Sequence, residues 1–527
     1  MDVTELVSAG TRVILDGSVR RIDGGRVLIG GSPMRLVRLT EAGSRLVDRW
    51  AAGEEVGRSV GARRLARRLL DRGMVHPRVV PSVARTGDVT VVIPVFDRAA
   101  GLERTLAALA AGDVMPGAVL VVDDRSSGDG PAVAAKVAAA GGARFVARAV
   151  RGGPGAARNS GLELVDTPWV AFVDADVEPA GDWLAQLLPH FDDPAVVAVA
   201  PRVVPADSVG AMSTESLPAS PAESLPPMGS PLGDESVPNR CRGGATASGA
   251  AGGWSLSGSL DAFERVRSPL DLGADPARVA PRTRVAYVPT TTLVARVDAV
   301  REVGGFDERL TYGEDVDLVW RLVESGRTVR YEPTAVVSHP VRPDLASWLR
   351  QRFDYGSSAA PLSARHTEAL APVSISAWSA AAWTLAASGF PVSGMVVAAA
   401  AAVQLPRRLH GLDHPWQESL RLAGGGTWGA WRPLSSAVTR TWWPAALGAA
   451  LVSRRARRAV LAAALVPPLV DWFAGDRALD PGTYVGLRLL DDLAYGAGVW
   501  AGCARERTLL PLMPDLTSWP GRRPAVE

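Results

Sequence analysis

Asp174 and Asp176 stand two residues apart at the end of the apolar run Val170-Ala171-Phe172-Val173. On an extended backbone, side chains at i and i+2 point the same way. Two carboxylates at a strand end can therefore meet at one point. That geometry suits Mg²⁺ or Mn²⁺ held by a few protein oxygens, with substrate phosphates completing the shell. His339, in Val336-Val337-Ser338-His339-Pro340, follows another strand-like run and is a third candidate ligand. A bare Asp-x-Asp often just ends a strand in a solvated turn, so the surrounding residues decide.

Those surroundings are rich. Asp123 and Asp124 end the run Val119-Leu120-Val121-Val122, where an acid can accept hydrogen bonds from a base or ribose hydroxyl. Gly152-Gly153-Pro154-Gly155 opens a helical stretch carrying Arg158 and Asn159 one turn in. A helix N-terminus and an arginine both favour phosphate oxygens. Further on, Tyr312-Gly313-Glu314-Asp315-Val316-Asp317-Leu318 begins a helix. Asp315 there can cap the helix. As a general base it can instead take the proton of a hydroxyl attacking an anomeric carbon. Glu314 would hold the acceptor hydroxyl or join the metal shell.

The elements that must position these residues alternate. Strands are expected at 89–94, 119–122, 144–146, 170–173, 285–288 and 293–295, and helices at 102–110, 132–140, 155–164 and 297–303. Such alternation with short loops predicts an α/β domain built on a parallel sheet covered on both faces. Ligands of such sheets bind at the carboxyl ends of the strands. Pro94, Asp97, Asp123, Asp124, Asp174 and Asp176 all fall at that edge.

Before this domain, residues 1–85 read as a small α+β module. Short strands around Val13 and Leu28 precede a helix capped by Thr40 and running to Trp50. A second helix, 60–72, turns Leu65, Leu69 and Leu70 inward and Arg63, Arg64, Arg67 and Arg68 outward, and 74–77 is extended. The order predicts a winged-helix-like module. Its arginine-rich face suits nucleic acid, a membrane, an acidic peptide, or simply solvent.

Residues 205–257, rich in Ser, Pro, Gly and Ala without an apolar period, read as a disordered insertion. After a connecting segment at 346–368, residues 369–527 turn hydrophobic. No charge occurs from Ala369 to Pro406, and Pro372 and Pro391 cut that stretch into pieces of roughly eighteen and fourteen residues, the first near the length of a bilayer span. Further apolar runs flank Arg454-Arg455-Ala456-Arg457-Arg458, and Trp442, Trp443, Trp472 and Trp500 sit where interfacial aromatics would. A membrane-associated helical region, with a transmembrane helix and the catalytic domain on the cytoplasmic face, is expected.

Composition narrows the classes. Hydrophobic residues make 47% of 527 and mean hydropathy is +0.10, high for a purely soluble enzyme. A net charge of +2 gives no long-range pull on nucleic acid. Cys241 and Cys503 form neither a disulfide framework nor metal-ligand spacing, which fits a reducing compartment. No signal peptide is expected.

Five segments, in order and spacing, resemble the family 2 glycosyltransferases of GT-A fold: 92–97, 121–126, 157–161, 174–176 and 304–318. The likeness covers about 86–345. It implies nucleotide binding by Asp97, Asp123 and Asp124, metal and sugar-diphosphate binding by Asp174 and Asp176, and Asp315 as the base of an inverting transfer. More narrowly, the N-terminal module, the loop 267–273, Tyr287-Val288-Pro289-Thr290 and the segment Arg350–Gly356 resemble the mycofactocin-system glycosyltransferases. That likeness implies glucose transfer from UDP-glucose to a peptide-derived redox cofactor precursor, building a short β-1,4-linked chain, with a peptide or maturation enzyme met at the N-terminal module. Processive polysaccharide synthases end their site with Q-x-x-R-W; here Gln351 is followed by Asp354-Tyr355, which argues against a long-chain polymerase.

Two other readings compete. One keeps the transferase and changes the acceptor to a lipid or cell-wall glycan. The other is a membrane-anchored peptide-binding scaffold with an inactive transferase domain; such a domain should have lost one of Asp123, Asp174, Asp176 or Asp315, and all four are present.

Overall fold

The structure is a computed structural model, and it describes residues 6–206 and 256–517 except 343, 368, 408 and 410. The expected insertion at 205–257 therefore lies almost wholly outside the described residues, as does Cys241.

The N-terminal module has strands β1 (Arg12–Leu15), β2 (Arg20–Ile22), β3 (Val27–Gly30), β4 (Arg35–Arg38) and β5 (Val75–Arg78). β2, β3 and β4 form an antiparallel meander and β1 pairs with β5. The helix Glu41–Ala51 is capped by Thr40, whose hydroxyl accepts from the Gly43 amide, and the helix Val60–Asp71 is capped by Ser59. Trp50, Leu69, Leu70 and Met74 fill a core of their own. One expected outward arginine turns in: Arg67 is buried and its Nη2 lies 2.6 Å from Asp193 Oδ1 in the next domain. The helix face that looked solvated is in part an interface.

The second domain is a nine-stranded sheet. Its strands are β6 (Val89–Val95), β7 (Ala118–Asp123), β8 (Arg144–Ala147), β9 (Trp169–Val173), β10 (Glu178–Pro179), β11 (Val196–Pro205), β12 (Ala277–Val279), β13 (Thr292–Arg296) and β14 (Thr328–His339). The order is β10-β14-β11-β13-β9-β6-β7-β8, with β12 beside β14. The expected parallel arrangement holds from β9 to β8. Beyond β9 it does not: β13 runs antiparallel to both β9 and β11, so the sheet is mixed. Near-continuous apolar strands such as 170–173 are buried on both faces, as the two cores either side of the sheet require. No strand forms at 285–288; that stretch is loop, and Val285 and Val288 are buried from it.

The C-terminal third is helical, but short pieces replace the expected span. Ser374–Ile375 (β15) pairs with Asp515–Leu516 (β16), and Ser376 caps the next helix, so only Ala377–Ala387 coils before Pro391 starts Pro391–Gln404. The two longest helices, Arg454–Ala474 and Pro481–Glu506, carry four arginines and a buried Arg488-Asp491-Asp492 group respectively. Among the described residues, no helix is long and apolar enough to cross a membrane. Trp442, Trp472 and Trp500, expected at a bilayer interface, donate their indole N–H groups to Leu512, Leu479 and Thr441 carbonyls. The helix Pro481–Glu506 packs along Leu345–Ser357, where Gly498 and Gly356 let the backbones touch.

Candidate active site

The strand ends and the helix Glu314–Glu324 enclose a cavity of about 1400 Å³. Pro94, Asp124, Arg158, Asp174, Asp176, Glu314, Asp315 and His339 all line it. Residues far apart in the chain thus meet as the sequence predicts. Asp97, Asp123 and Asn159 serve its walls instead. Asp123 is fully buried and accepts from the Ser126 amide (3.0 Å) and hydroxyl (2.5 Å), which closes its own turn. Asp97 accepts from the Ser127 amide (2.6 Å) and hydroxyl (2.8 Å), and these bonds hold its carboxyl below the usual range. Asn159 donates to the Phe306 carbonyl (2.9 Å) and accepts from the Phe306 amide (2.8 Å), fastening its helix to the loop that precedes Glu314.

The glycine turn also differs from expectation. Its first amides face a carboxylate of the protein: Asp124 accepts from Gly152 (2.9 Å) and Gly153 (2.7 Å) and pairs with Arg148. The helix N-terminal charge that a phosphate would exploit is there met by Asp124. The turn still carries Arg158 to the centre of the site. Its Nη2 lies 2.7 Å from Asp174 Oδ1 and its Nη1 2.9 Å from Glu314 Oε1.

The helix carrying the second acidic pair starts abruptly. Gly313 has φ +81°, and a Cβ there would come within 3.0 Å of Ser358 and Leu362. Only glycine meets both demands without strain. The turn leaves Glu314 and Asp315 in the first helical turn. Asp315 Oδ1 accepts from the Val316 amide at 2.8 Å, and the Thr290 backbone also favours its charged form. Burial pushes Glu314 up to about 7, helped by the Asp315 charge and opposed by Arg158. Burial also raises Asp315, against those backbone bonds. Burial thus favours the protonated form of both acids, and Glu314 gives up its proton only at about 7. Asp317, one turn on, is structural: it is buried against Arg321, Arg365 and His366.

At the metal candidates, His339 Nε2 lies 3.5 Å from Asp176 Oδ1, while Asp176 also pairs with Arg98 and Asp174 with Arg158. Among the described residues, no group of three or more His, Cys, Asp or Glu side chains is placed to hold a metal ion by itself. The donor set of two carboxylates beside an imidazole that burial keeps neutral is chemically right for a hard divalent ion with ligand oxygens on its open side.

The sequence assigns no site role to several other lining residues, although Tyr287 and Tyr355 fall in segments that carry the family resemblance. Arg151 stacks over the Phe96 ring at 3.8 Å, and both line the cavity. Tyr287, Tyr355, Arg440, Asp491 and Tyr495 also line the cavity, and the last three come from the C-terminal helical region. Their spacing obeys no local period, since the tertiary packing alone brings them together.

Sequence comparisons give the family. Residues 90–245 match the model of glycosyl transferase family 2, and residues 270–451 that of glycosyl transferase family group 2. The second match runs on into the C-terminal helices. The pre-mycofactocin glycosyltransferase of Mycobacterium tuberculosis, in strains CDC 1551 / Oshkosh and ATCC 25618 / H37Rv, is 38% identical over 524 residues, covering 96% of this chain and 98% of that one. Among solved structures, the mannosyltransferase PcManGT of Pyrobaculum calidifontis with GDP-Man and Mn²⁺ shares 18% identity over 53% of this chain and 64% of its own (TM-score 0.36). Staphylococcus aureus TarS 1–349 with UDP shares 15% over 51% and 65% (TM-score 0.31). With a GT-A-like mixed sheet and a full-length relative at this identity, the chain belongs to the pre-mycofactocin glycosyltransferases of glycosyl transferase family 2.

Proposed function

We propose that this enzyme transfers glucose from UDP-glucose to pre-mycofactocin with inversion, and extends it to a short β-1,4-glucan. The observation that carries the reading is that Asp315 lines one cavity with the helix residue Arg158, the strand-end Asp174 and residues of the C-terminal helices. In the step itself, the acceptor hydroxyl oxygen bonds to the anomeric carbon. The carbon–oxygen bond to the diphosphate breaks, its electron pair leaves with UDP, and the hydroxyl proton passes to Asp315. A positioned carboxylate contributes about 10²- to 10⁴-fold in such a transfer. Glu314, held by Arg158, fixes the height of the base.

Asp174, Asp176 and His339 would hold the Mg²⁺ or Mn²⁺, which when bound neutralises diphosphate charge. Pro94, Phe96, Asp124 and Arg151 wall the end suited to the nucleotide, with Asp97, Asp123 and Asn159 setting that wall.

Location is part of the same proposal. Leu451 and Val452 just before Arg454–Arg458, and Val392 and Met395 on the helix that follows Phe390, over whose ring Arg455 lies, are exposed. An apolar surface beside arginines suits the plane of an anionic membrane, which supports work at its cytoplasmic face. The same surface favours a second reading in which the acceptor is a lipid-linked or cell-wall glycan. The N-terminal module favours the first, since a cofactor made from a peptide gives a peptide-binding module a purpose.

A panel of nucleotide sugars, each offered with pre-mycofactocin or a polyprenyl phosphate and Mn²⁺ or Mg²⁺, decides between them by product mass. Successive hexose additions to pre-mycofactocin from UDP-glucose are expected. Transfer to the lipid alone would sink the first reading.

A further inference from the structure

Part of the cavity lining comes from segments outside the strands of the transferase sheet. Tyr287 comes from the loop before β13, Tyr355 from the helix Leu345–Ser357, Tyr495 from Pro481–Glu506, and Arg440 from the turn Ala437–Thr441. That turn is π-helical, a rare form that re-aims a side chain and recurs at functional sites. It is fixed from behind: a Cβ on Gly496 would lie 1.7 Å from the Arg440 carbonyl oxygen, so only a glycine lets the two segments meet. The guanidinium lies over the Tyr495 ring at 3.7 Å and within 3.7 Å of buried Asp492.

We propose, on the reading given above, that Tyr287, Tyr355, Tyr495 and Arg440 form the acceptor subsite and grip a hydroxyl-bearing ring so that its hydroxyl reaches Asp315. Aromatic faces stack such rings, and phenol and guanidinium groups hydrogen-bond their substituents. Burial, then the Tyr495 phenol and the Asp315 carboxylate, hold Tyr287 up at about 12, so its phenol is a donor at neutral pH. Asp315, Tyr287, Tyr355 and Arg158 line the same cavity, and the Asp315 charge is felt at all three of the others. The ring has two sources in a chain-building reaction: the first acceptor, or the terminal sugar of a glucosylated one.

The test measures steady-state KM for acceptor and for donor in Arg440→Gln and Tyr355→Phe, with unmodified and monoglucosylated pre-mycofactocin as separate arms. Acceptor KM is expected to rise roughly tenfold or more while donor KM stays, the size of one lost hydrogen bond to a charged group. A rise in one arm alone names the ring that is gripped, and a rise in both shows a shared seat. An unchanged acceptor KM, or a donor KM that rises in step with it, overturns the subsite. If Arg440→Gln melts well below wild type, Tyr287→Phe, which keeps its ring, gives the deciding split. A wild-type enzyme that transfers nothing from any nucleotide sugar overturns the transferase reading itself, and the two failures are thereby distinct.

Discussion

Arg158 Nη1 stands 2.9 Å from Glu314 Oε1, joining two segments 156 residues apart. The same guanidinium reaches Asp174, so one buried cation ties the strand-end acids to the helix that carries the proposed base. The bond explains why Gly155 must be small: a Cβ there would crowd Phe306 and Glu314 at 3.3–3.4 Å.

Removing that cation should be costly. In Arg158→Met, Glu314 and Asp174 lose their partner within the fold, and breaking a buried pair typically costs about 3–5 kcal/mol. Thermal melts should show a large fall in Tm. The double variant with Glu314→Gln should recover part of it, and strict additivity of the two losses would contradict the pairing.

The acid pair sets a pH limb. Burial raises Glu314 to about 7 and raises Asp315 as well, so the native state holds a proton that the unfolded chain has released. Stability therefore falls as pH rises from the ordinary carboxylate range through about 7. Activity should move the other way, because the base works unprotonated. A pH profile of kcat/KM should climb through neutrality, and in Glu314→Gln the limb should move to lower pH; a limb that stays in place would assign it to another group.

Gly313→Ala tests the turn that starts this helix. It places a side chain at φ +81° and against Ser358 and Leu362. A loss of about 1–2 kcal/mol from the left-handed backbone alone is expected, with a fall in kcat as Glu314 and Asp315 shift. Wild-type kcat in a destabilised protein would separate the turn from the chemistry.

How much of this was legible depended on range. Asp174 and Asp176 were readable because strand periodicity is local, and the mixed half of the sheet was not, because the antiparallel pairing of β13 with β9 is settled by residues over a hundred positions apart. Arg158 was read as a phosphate ligand; its link to Glu314 exists only in three dimensions. The C-terminal runs suggest a span that no described helix makes, since alanine-rich segments have the same hydropathy whether they cross a bilayer or cover a protein face. Arg488, Asp491 and Asp492 inside the helix Pro481–Glu506 were the contrary sign.

The interface behind the N-terminal module gives a prediction independent of catalysis. Asp193 pairs with Arg67, and burial with the neighbouring Arg67 and Arg278 charges holds Arg330 down at about 10 despite Asp193 and Asp71. Asp193→Asn leaves these arginines facing one another and should cost about 3–5 kcal/mol, with limited proteolysis cutting first between the module and β6. Wild-type melting would show that the module is held elsewhere.

Metal dependence follows from the proposed roles of Asp174, Asp176 and His339. Chelation should abolish transfer and Mn²⁺ should restore it, while Asp176→Ala should weaken UDP-glucose binding only when metal is present. Full activity in excess chelator would contradict the assignment.

The most direct measurement is single-turnover transfer by Asp315→Asn, with UDP-glucose affinity followed by calorimetry on the same protein. The account predicts near-normal donor affinity and a rate lower by about 10²- to 10⁴-fold. Transfer at the wild-type rate would contradict it, and the base would have to be sought elsewhere on the cavity wall.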